Sequence, residues 1–300
     1  MQPIFYIPND AGLVVVSDFF AEDLIGGAEL TLQAILDKCP VKYFKIRCSQ
    51  FTNPKELIES AGKDKHWLLV NFSGMSREAL VELATSGVKY SILECDYKYC
   101  MFRSSHLHKL QTKQDCDCHL QEHGRFICGL YKRAQQVFFM SEGQMNEYKR
   151  LFPMMNSWPE GKLVVQGSTF SNETLDRLDQ LYHEVPKINK AVVLGGGTWI
   201  KNQPATEEYC KKNNIEYDVI GGMPYEQFIE KIARYSKLVF MPAGADTAPR
   251  ITMEAKLLGL NLDLNENVQH KDESWFTGSR EAAMLHLRDR ASNFWKAIPL

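Results

Sequence analysis

Short apolar runs recur along the chain, separated by stretches in which apolar residues return every three or four positions. Leu13-Val14-Val15-Val16 is unbroken and mostly β-branched, which predicts a strand covered on both faces. A polar loop from 18 to 27 follows it, then a helix from about 28 to 37 with Leu30, Leu32, Ile35 and Leu36 on its apolar face. Further strands are expected at 42–46, 67–71, 90–93 and 136–140, with helices at 54–61, 76–85 and 142–151. Ser141 followed three positions later by Gln144 has the spacing of a capping box at the start of the last of these.

A second series begins after a polar stretch from 169 to 190. It runs as a strand at 191–194 ended by Gly195-Gly196-Gly197, a helix at 202–213, a strand at 217–220 and the pair Gly221-Gly222. A helix at 225–235 and a strand at 238–241 complete it. Strands alternating with helices imply parallel sheets covered by helices. The expected fold class is α/β, with two Rossmann-like domains facing a cleft and joined near 165–187. Residues 1–168 form the first domain and 169–278 the second, while a final helix from about 279, in the segment 279–300, packs back on the first. A ligand is expected outside the strand ends.

Three hundred residues suffice for two such domains. No apolar run is long enough to span a bilayer. The start, Met1-Gln2-Pro3-Ile4-Phe5-Tyr6, lacks a basic segment followed by an apolar one, so a cytoplasmic protein is expected. Its eight cysteines are then expected to be mostly reduced. A formal net charge of −2 gives no general electrostatic case for nucleic acid or membrane partners.

The stretch Asp246-Thr247-Ala248-Pro249-Arg250-Ile251-Thr252-Met253-Glu254 sets two carboxylates eight positions apart. An apolar strand precedes it and a helical stretch from Glu254 follows. Carboxylates grip sugar hydroxyls, and a loop entering a helix presents N–H groups to phosphate. Gly26-Gly27-Ala28-Glu29 opens the first helix, and Trp199-Ile200-Lys201-Asn202 follows the glycine run. Taken in order, these segments resemble the signatures of GT-B glycosyltransferases, especially retaining family 4. The stretch from Asp246 to Glu254 resembles the E-x7-E motif with Asp in the first place. Lys201-Asn202 resembles the donor-phosphate motif. The arginine common a few residues before that lysine is replaced here by Gly195-Gly196-Gly197-Thr198. The histidine common after a central strand of the first domain is replaced by Glu94-Cys95-Asp96-Tyr97.

The resemblance implies transfer of a sugar from a nucleotide-diphosphate sugar to an acceptor hydroxyl, with retention and without a required cofactor or catalytic metal. Asp246, Lys201 and Arg250 are the implied catalytic set. Asp246 meets the donor sugar, Lys201 the diphosphate, and Arg250 is a candidate for the missing cation. Gly26, Gly27, Gly197, Gly222, Thr247, Ala248, Pro249 and Glu254 are implied at the donor, Glu254 at the ribose. Glu94 and Asp96 are implied on the acceptor or sugar side. The partners are a nucleotide-sugar and a glycan or small hydroxyl acceptor. A non-catalytic nucleotide-sugar binder and a nucleic-acid-modifying transferase are the alternatives.

The glycine run Gly195-Gly196-Gly197-Thr198-Trp199-Ile200 lacks the third glycine of a dinucleotide site. Asp115-Cys116-Asp117 matches a D-x-D metal motif, but it lies in a polar stretch rather than after a strand. Between Glu94 and Gly129 fall five of the eight cysteines and four of the eight histidines. Cys100, Cys116, Cys118 and Cys128 are candidate ligands of a structural zinc or, less readily, an iron–sulfur cluster. The alternative is a reduced, flexible loop. The segment 97–133 carries seven Lys/Arg against three Asp/Glu, which fits a basic lid or a solvated insertion.

Overall fold

The computed structural model describes residues 7–61 and 63–300; the start of the chain at 1–6, read above for a leader, lies outside them. The chain divides into two compact units, Met1–Thr169 with Arg290–Leu300, and Phe170–Asp289. Each holds a wholly parallel sheet.

In the first unit β1 (Leu13–Ser17), α1 (Gly27–Leu36), β2 (Tyr43–Arg47), α2 (Pro54–Ala61), β3 (His66–Leu69), α3 (Arg77–Thr85) and β4 (Lys89–Glu94) alternate. Two helices, α4 (Ser105–Thr112) and α5 (Glu122–Arg133), then precede β5 (Val137–Phe139), α6 (Glu142–Leu151) and β6 (Leu163–Val165). The strand order is β2-β1-β3-β4-β5-β6. Every residue of β1 is buried, as an all-apolar central strand requires. Trp67, Leu68 and Leu69 of β3 and Ile92 and Leu93 of β4 continue the same core.

The second unit opens with α7 (Asn172–Glu184), in a stretch whose polarity predicts a connection. Leu175, Leu178 and Leu181 form a buried stripe along it, and Ser171 caps it by accepting from Thr174 N at 3.1 Å. Then come β7 (Ile188–Leu194), α8 (Gln203–Lys212), β8 (Tyr217–Ile220), α9 (Tyr225–Ile232), β9 (Tyr235–Phe240), α10 (Arg250–Leu257), β10 (Asn261–Leu264) and α11 (Ser274–Thr277). The order is β10-β9-β7-β8. Ala191, Val193, Cys210, Val239 and Met241 centre its core. The last helix, α12 (Arg280–Ala297), begins in this unit and ends in the first. At its end Trp295 Nε1 donates to Ile35 O at 2.8 Å, and the Phe294 and Phe138 rings lie 4.3 Å apart.

Three expectations need correction. The helix after Asp246 starts at Arg250, not Glu254, because Pro249 presets the entry to its first turn. The segment 97–133 is not a flexible loop but two helices and a short turn. Ile127, Leu130 and Tyr131 anchor α5 in the core. At Ser141 the hydroxyl accepts from Gln144 N at 3.2 Å, but Gln144 Oε1 accepts from Met140 N, one residue before the cap.

Candidate functional site

In the second sheet β7 pairs with β9 on one side and β8 on the other. The chain therefore leaves β7 and β9 toward opposite faces, which opens a crevice beyond their carboxyl ends. The two loops at this switch point carry the lysine and the first carboxylate singled out by the sequence. They are tied together: Ala243 N donates to Ile200 O at 3.2 Å, and Asn202 Nδ2 donates to Met241 O at 3.1 Å. Asn202 holds a left-handed conformation, φ 47°, as the cap of α8. Lys201 folds back over Gly196, where an added Cβ would lie 3.6 Å from Nζ. The turn is dense. A Cβ on Gly221 would run into the backbone of Gly195, so the ends of β7 and β8 approach closely only as glycines. Gly197 and Gly222 have open space around them, and Gly222 also needs its φ of +71°.

Asp246 is pinned by its backbone. Its N–H donates to Asn267 O at 2.8 Å, and its carbonyl accepts from Gln269 N at 3.1 Å. The residue keeps some exposure, but its carboxyl is enclosed by protein, and that burial pushes it up to about 7 against a hydrogen bond from Ala248 N–H. The Ala248 N–H is thereby turned on Asp246 rather than toward a ligand, and Pro249 has no N–H to offer. Thr247, Ala248 and Pro249 are buried as they lead into α10.

Glu254 is 2% exposed and held from within. Tyr225 OH donates to it at 2.8 Å, and Arg250 Nε lies 3.6 Å away. Burial raises its proton affinity while Arg250 and Tyr225 oppose that. The Arg250 guanidinium stacks on the Phe170 ring at 3.8 Å. Tyr225 and Phe170 carried no sequence signal, since each reads as an ordinary aromatic beside a helix start.

The first sheet has its own switch point, between β1 and β3. Gly26 caps α1 there and Gly27 begins it. Gly26 faces Glu29, a buried carboxyl raised by that burial and hydrogen-bonded by Asn71 Nδ2 at 3.4 Å. Asp18, just past β1, accepts from Ser73 N at 3.0 Å and Gly74 N at 2.8 Å. Glu94 ends β4 with no exposure. It accepts from Lys98 N at 3.1 Å and from Tyr131 OH, and burial holds it above the carboxylate range. Asp96 behaves oppositely: burial resists its ionisation, but Lys98 and Arg103 outweigh burial and hold it low. Lys98 Nζ is 3.2 Å and Arg103 Nε 2.6 Å from its oxygens. Arg103 Nη2 also reaches Asn71 Oδ1 at 3.1 Å. Its backbone is left-handed, φ 58°, a conformation a non-glycine adopts only when its surroundings impose it. Beside this network lies a cavity of ≈ 140 Å³ between Phe72, Ser73, Met101, Lys98, Arg103 and His123. Of this network the sequence singled out Glu94 and Asp96. Lys98 and Arg103 are two of the seven basic residues of 97–133, and nothing in their spacing sets them apart from the other five.

Cys100, Cys116 and Cys118 converge, and His108 joins them. Cys128 does not; its sulfur faces Met154 Sδ at 3.9 Å from the buried side of α5. Asp115 and Asp117 are exposed, and Asp115 pairs with Lys109 at 2.8 Å.

No protein-family model matches the chain, and no curated protein matches it either. Solved structures do. The catalytic domain of starch synthase IV from Arabidopsis thaliana, bound to ADP and acarbose, matches 97% of this chain and 95% of its own at 8% identity and a TM-score of 0.50. HepE of Anabaena, in complex with UDP and glucose, matches 95% and 91% at 12% identity and 0.48. UDP-GlcNAc 2-epimerase from Methanocaldococcus jannaschii, with UDP-GlcNAc and UDP, matches 93% and 92% at 10% identity and 0.45. The likeness is one of fold. The chain has two Rossmann-like units, as in the GT-B fold, and retaining family 4 is not singled out within it.

Proposed function

We propose that the chain is a GT-B glycosyltransferase that binds a nucleotide-diphosphate sugar at the switch point of its second unit and transfers the sugar to an acceptor hydroxyl. The observation that carries this is the convergence, at one crevice, of the Lys201 loop and the loop from Asp246 into α10. A diphosphate needs a cation and a source of oriented positive potential. Lys201 supplies the first, and the start of α10, eight residues long, the second. Arg250, engaged with Phe170 and Glu254, adds its charge at that start. Asp246 accepts from donor-sugar hydroxyls once ionised. Glu254 with Tyr225 forms the ribose end, where a diol joins the tyrosine hydroxyl on the carboxylate. Gly197 and Gly222 leave room for the ligand to approach the backbone.

The chemistry is carried by position and charge. The bond from the anomeric carbon to the diphosphate oxygen breaks as the acceptor oxygen bonds that carbon. Lys201 stabilises the departing diphosphate, which itself takes the acceptor proton. Transfer on the face the diphosphate leaves gives retention, and no protein nucleophile is required. The acceptor, a glycan or small hydroxyl compound, is assigned to the first unit beside Glu94 and Asp96. Gly26 and Gly27, which the resemblance implies at the donor, lie at the start of α1 in this same unit.

The test is calorimetric titration with nucleoside diphosphates and their sugars, followed by mass spectrometry of products formed with hydroxyl acceptors. Tight binding of one nucleotide-sugar and a glycosylated product are expected. Failure to bind any of them overturns the donor site. Binding without transfer or hydrolysis leaves a nucleotide-sugar binding protein instead.

A further inference from the structure

The cluster in the first unit lies apart from the proposed donor chemistry and has the composition of a closed metal site. Cys100 sits in the turn after β4, His108 on the second turn of α4, Cys116 in the link that follows α4, and Cys118 at the start of the next short turn. The four ligand atoms all lie within 4.8 Å of one another. His108 Nδ1 is 3.3 Å from Cys118 Sγ and 3.8 Å from Cys100 Sγ. Tetrahedral zinc with Zn–S of about 2.3 Å and Zn–N of about 2.0 Å places sulfur about 3.5 Å from nitrogen, so the cage already has the required size. All four cysteine and histidine side chains except the half-buried Cys116 are buried, and none of the cysteines is in a disulfide. Backbone N–H groups of Phe102 and Cys118 point at the sulfurs of Cys100 and Cys116. As a thiol Cys100 faces Ser104 O at 3.5 Å, a weak contact given up when the sulfur turns to a metal.

The surroundings fix this cage rather than expose it. The Phe102 ring meets the His108 ring edge-on at 5.3 Å. A Cβ on Gly124 would collide with Cys118 O, so α5 closes on the turn that carries Cys118 only because a glycine stands there. We propose that Cys100, His108, Cys116 and Cys118 bind one structural zinc ion, which pins the segment carrying Lys98 and Arg103 against Asp96. Four protein ligands leave no open coordination position, so the ion is structural. Binding releases the three thiol protons to solvent, and His108 binds as neutral imidazole. Cys100 lies between Lys98 and Arg103, so the ion fixes the turn from which both cations reach Asp96.

Protein purified without a metal-affinity tag should contain zinc at about one ion per chain by mass spectrometry of the metal. Cys118→Ser and His108→Ala should each weaken zinc at least about 10-fold against a competing chelator, while Cys128→Ser should leave it unchanged. Cobalt titrated into the reduced, zinc-free wild-type protein should give the visible bands of a tetrahedral thiolate site. This arm stands even where a ligand variant fails to fold. Chelation should speed amide exchange across 98–118 more than elsewhere in the first unit. Metal-free protein that takes up neither zinc nor cobalt, an octahedral cobalt spectrum, iron in place of zinc, or full zinc retention in Cys118→Ser would each overturn the proposal.

Discussion

Asp246 has the chemistry most open to direct test at the scale of a single residue. Burial holds its carboxyl near 7, well above an unfolded aspartate. Between about pH 4 and 7 the folded chain therefore keeps a proton that the unfolded chain has released, and stability falls as pH rises through that window. Asp246→Asn removes the cost of the buried charge. The wild type should lose Tm relative to this variant between pH 5 and 8 in the absence of ligand, as read by scanning calorimetry. Turnover should behave oppositely, rising in the wild type as Asp246 ionises and losing that limb in the variant. Equal pH dependence of Tm in the two proteins would show that Asp246 is not the group responsible. Glycines allow a second comparison. Gly221→Ala pushes a methyl into the Gly195 backbone and should cost about 1–3 kcal/mol in denaturant titration. Gly197→Ala meets nothing within 4 Å. It should change stability by less than about 0.5 kcal/mol and weaken only nucleotide-sugar binding.

Elements are legible where a start signal bounds them, as Pro54 and Ser141 do for two helices. The helices Pro54–Ala61 and Glu142–Leu151 and the strand Tyr217–Ile220 were legible to the residue. Elements disappear where polar residues crowd a narrow apolar stripe. α7 has three leucines at spacings of three, legible in principle but outweighed by the polar residues around them. α5 was masked by its cysteine and histidine neighbours, although Ile127, Leu130 and Tyr131 share a face. β6 is three half-buried residues, too short for any alternation to register. The same limit applies to the metal cage. Three of its cysteines stood out by type, but His108 becomes a neighbour only once α4 turns it inward, and Cys128 is turned away by α5. The stripe of α7 yields an element-scale expectation. Leu178 is fully buried, so Leu178→Ala should cost about 2–5 kcal/mol in urea unfolding, whereas truncating exposed Glu173 in the first turn should cost at most about 1 kcal/mol. Near-equal effects would mean that α7 is held by its cap rather than by its leucines.

At the scale of the whole molecule, two parallel sheets each place a polar set at their own switch point, and the two sets differ in kind. The second unit offers a lysine, a helix start and two carboxylates that burial holds toward neutrality. The first offers carboxylates already tied to lysine, arginine and tyrosine. Burial also holds Glu94 above the carboxylate range, so what distinguishes the second unit is the lysine and the helix start beside its carboxylates. Variants should therefore separate binding from transfer. Lys201→Ala removes the cation proposed for the diphosphate and should weaken nucleotide-sugar binding by about 10- to 100-fold, with turnover falling as well. Asp96→Asn leaves Lys98 and Arg103 without their common anion. It should lower Tm and turnover, yet leave nucleotide-sugar affinity within about 2-fold, since the residues proposed to hold the donor all belong to the second unit. Calorimetric affinity and product formation measured on both variants decide the matter. If Asp96→Asn weakens the nucleotide-sugar as much as Lys201→Ala does, the donor is not confined to the second unit. If Lys201→Ala binds it as the wild type does, the phosphate lies elsewhere.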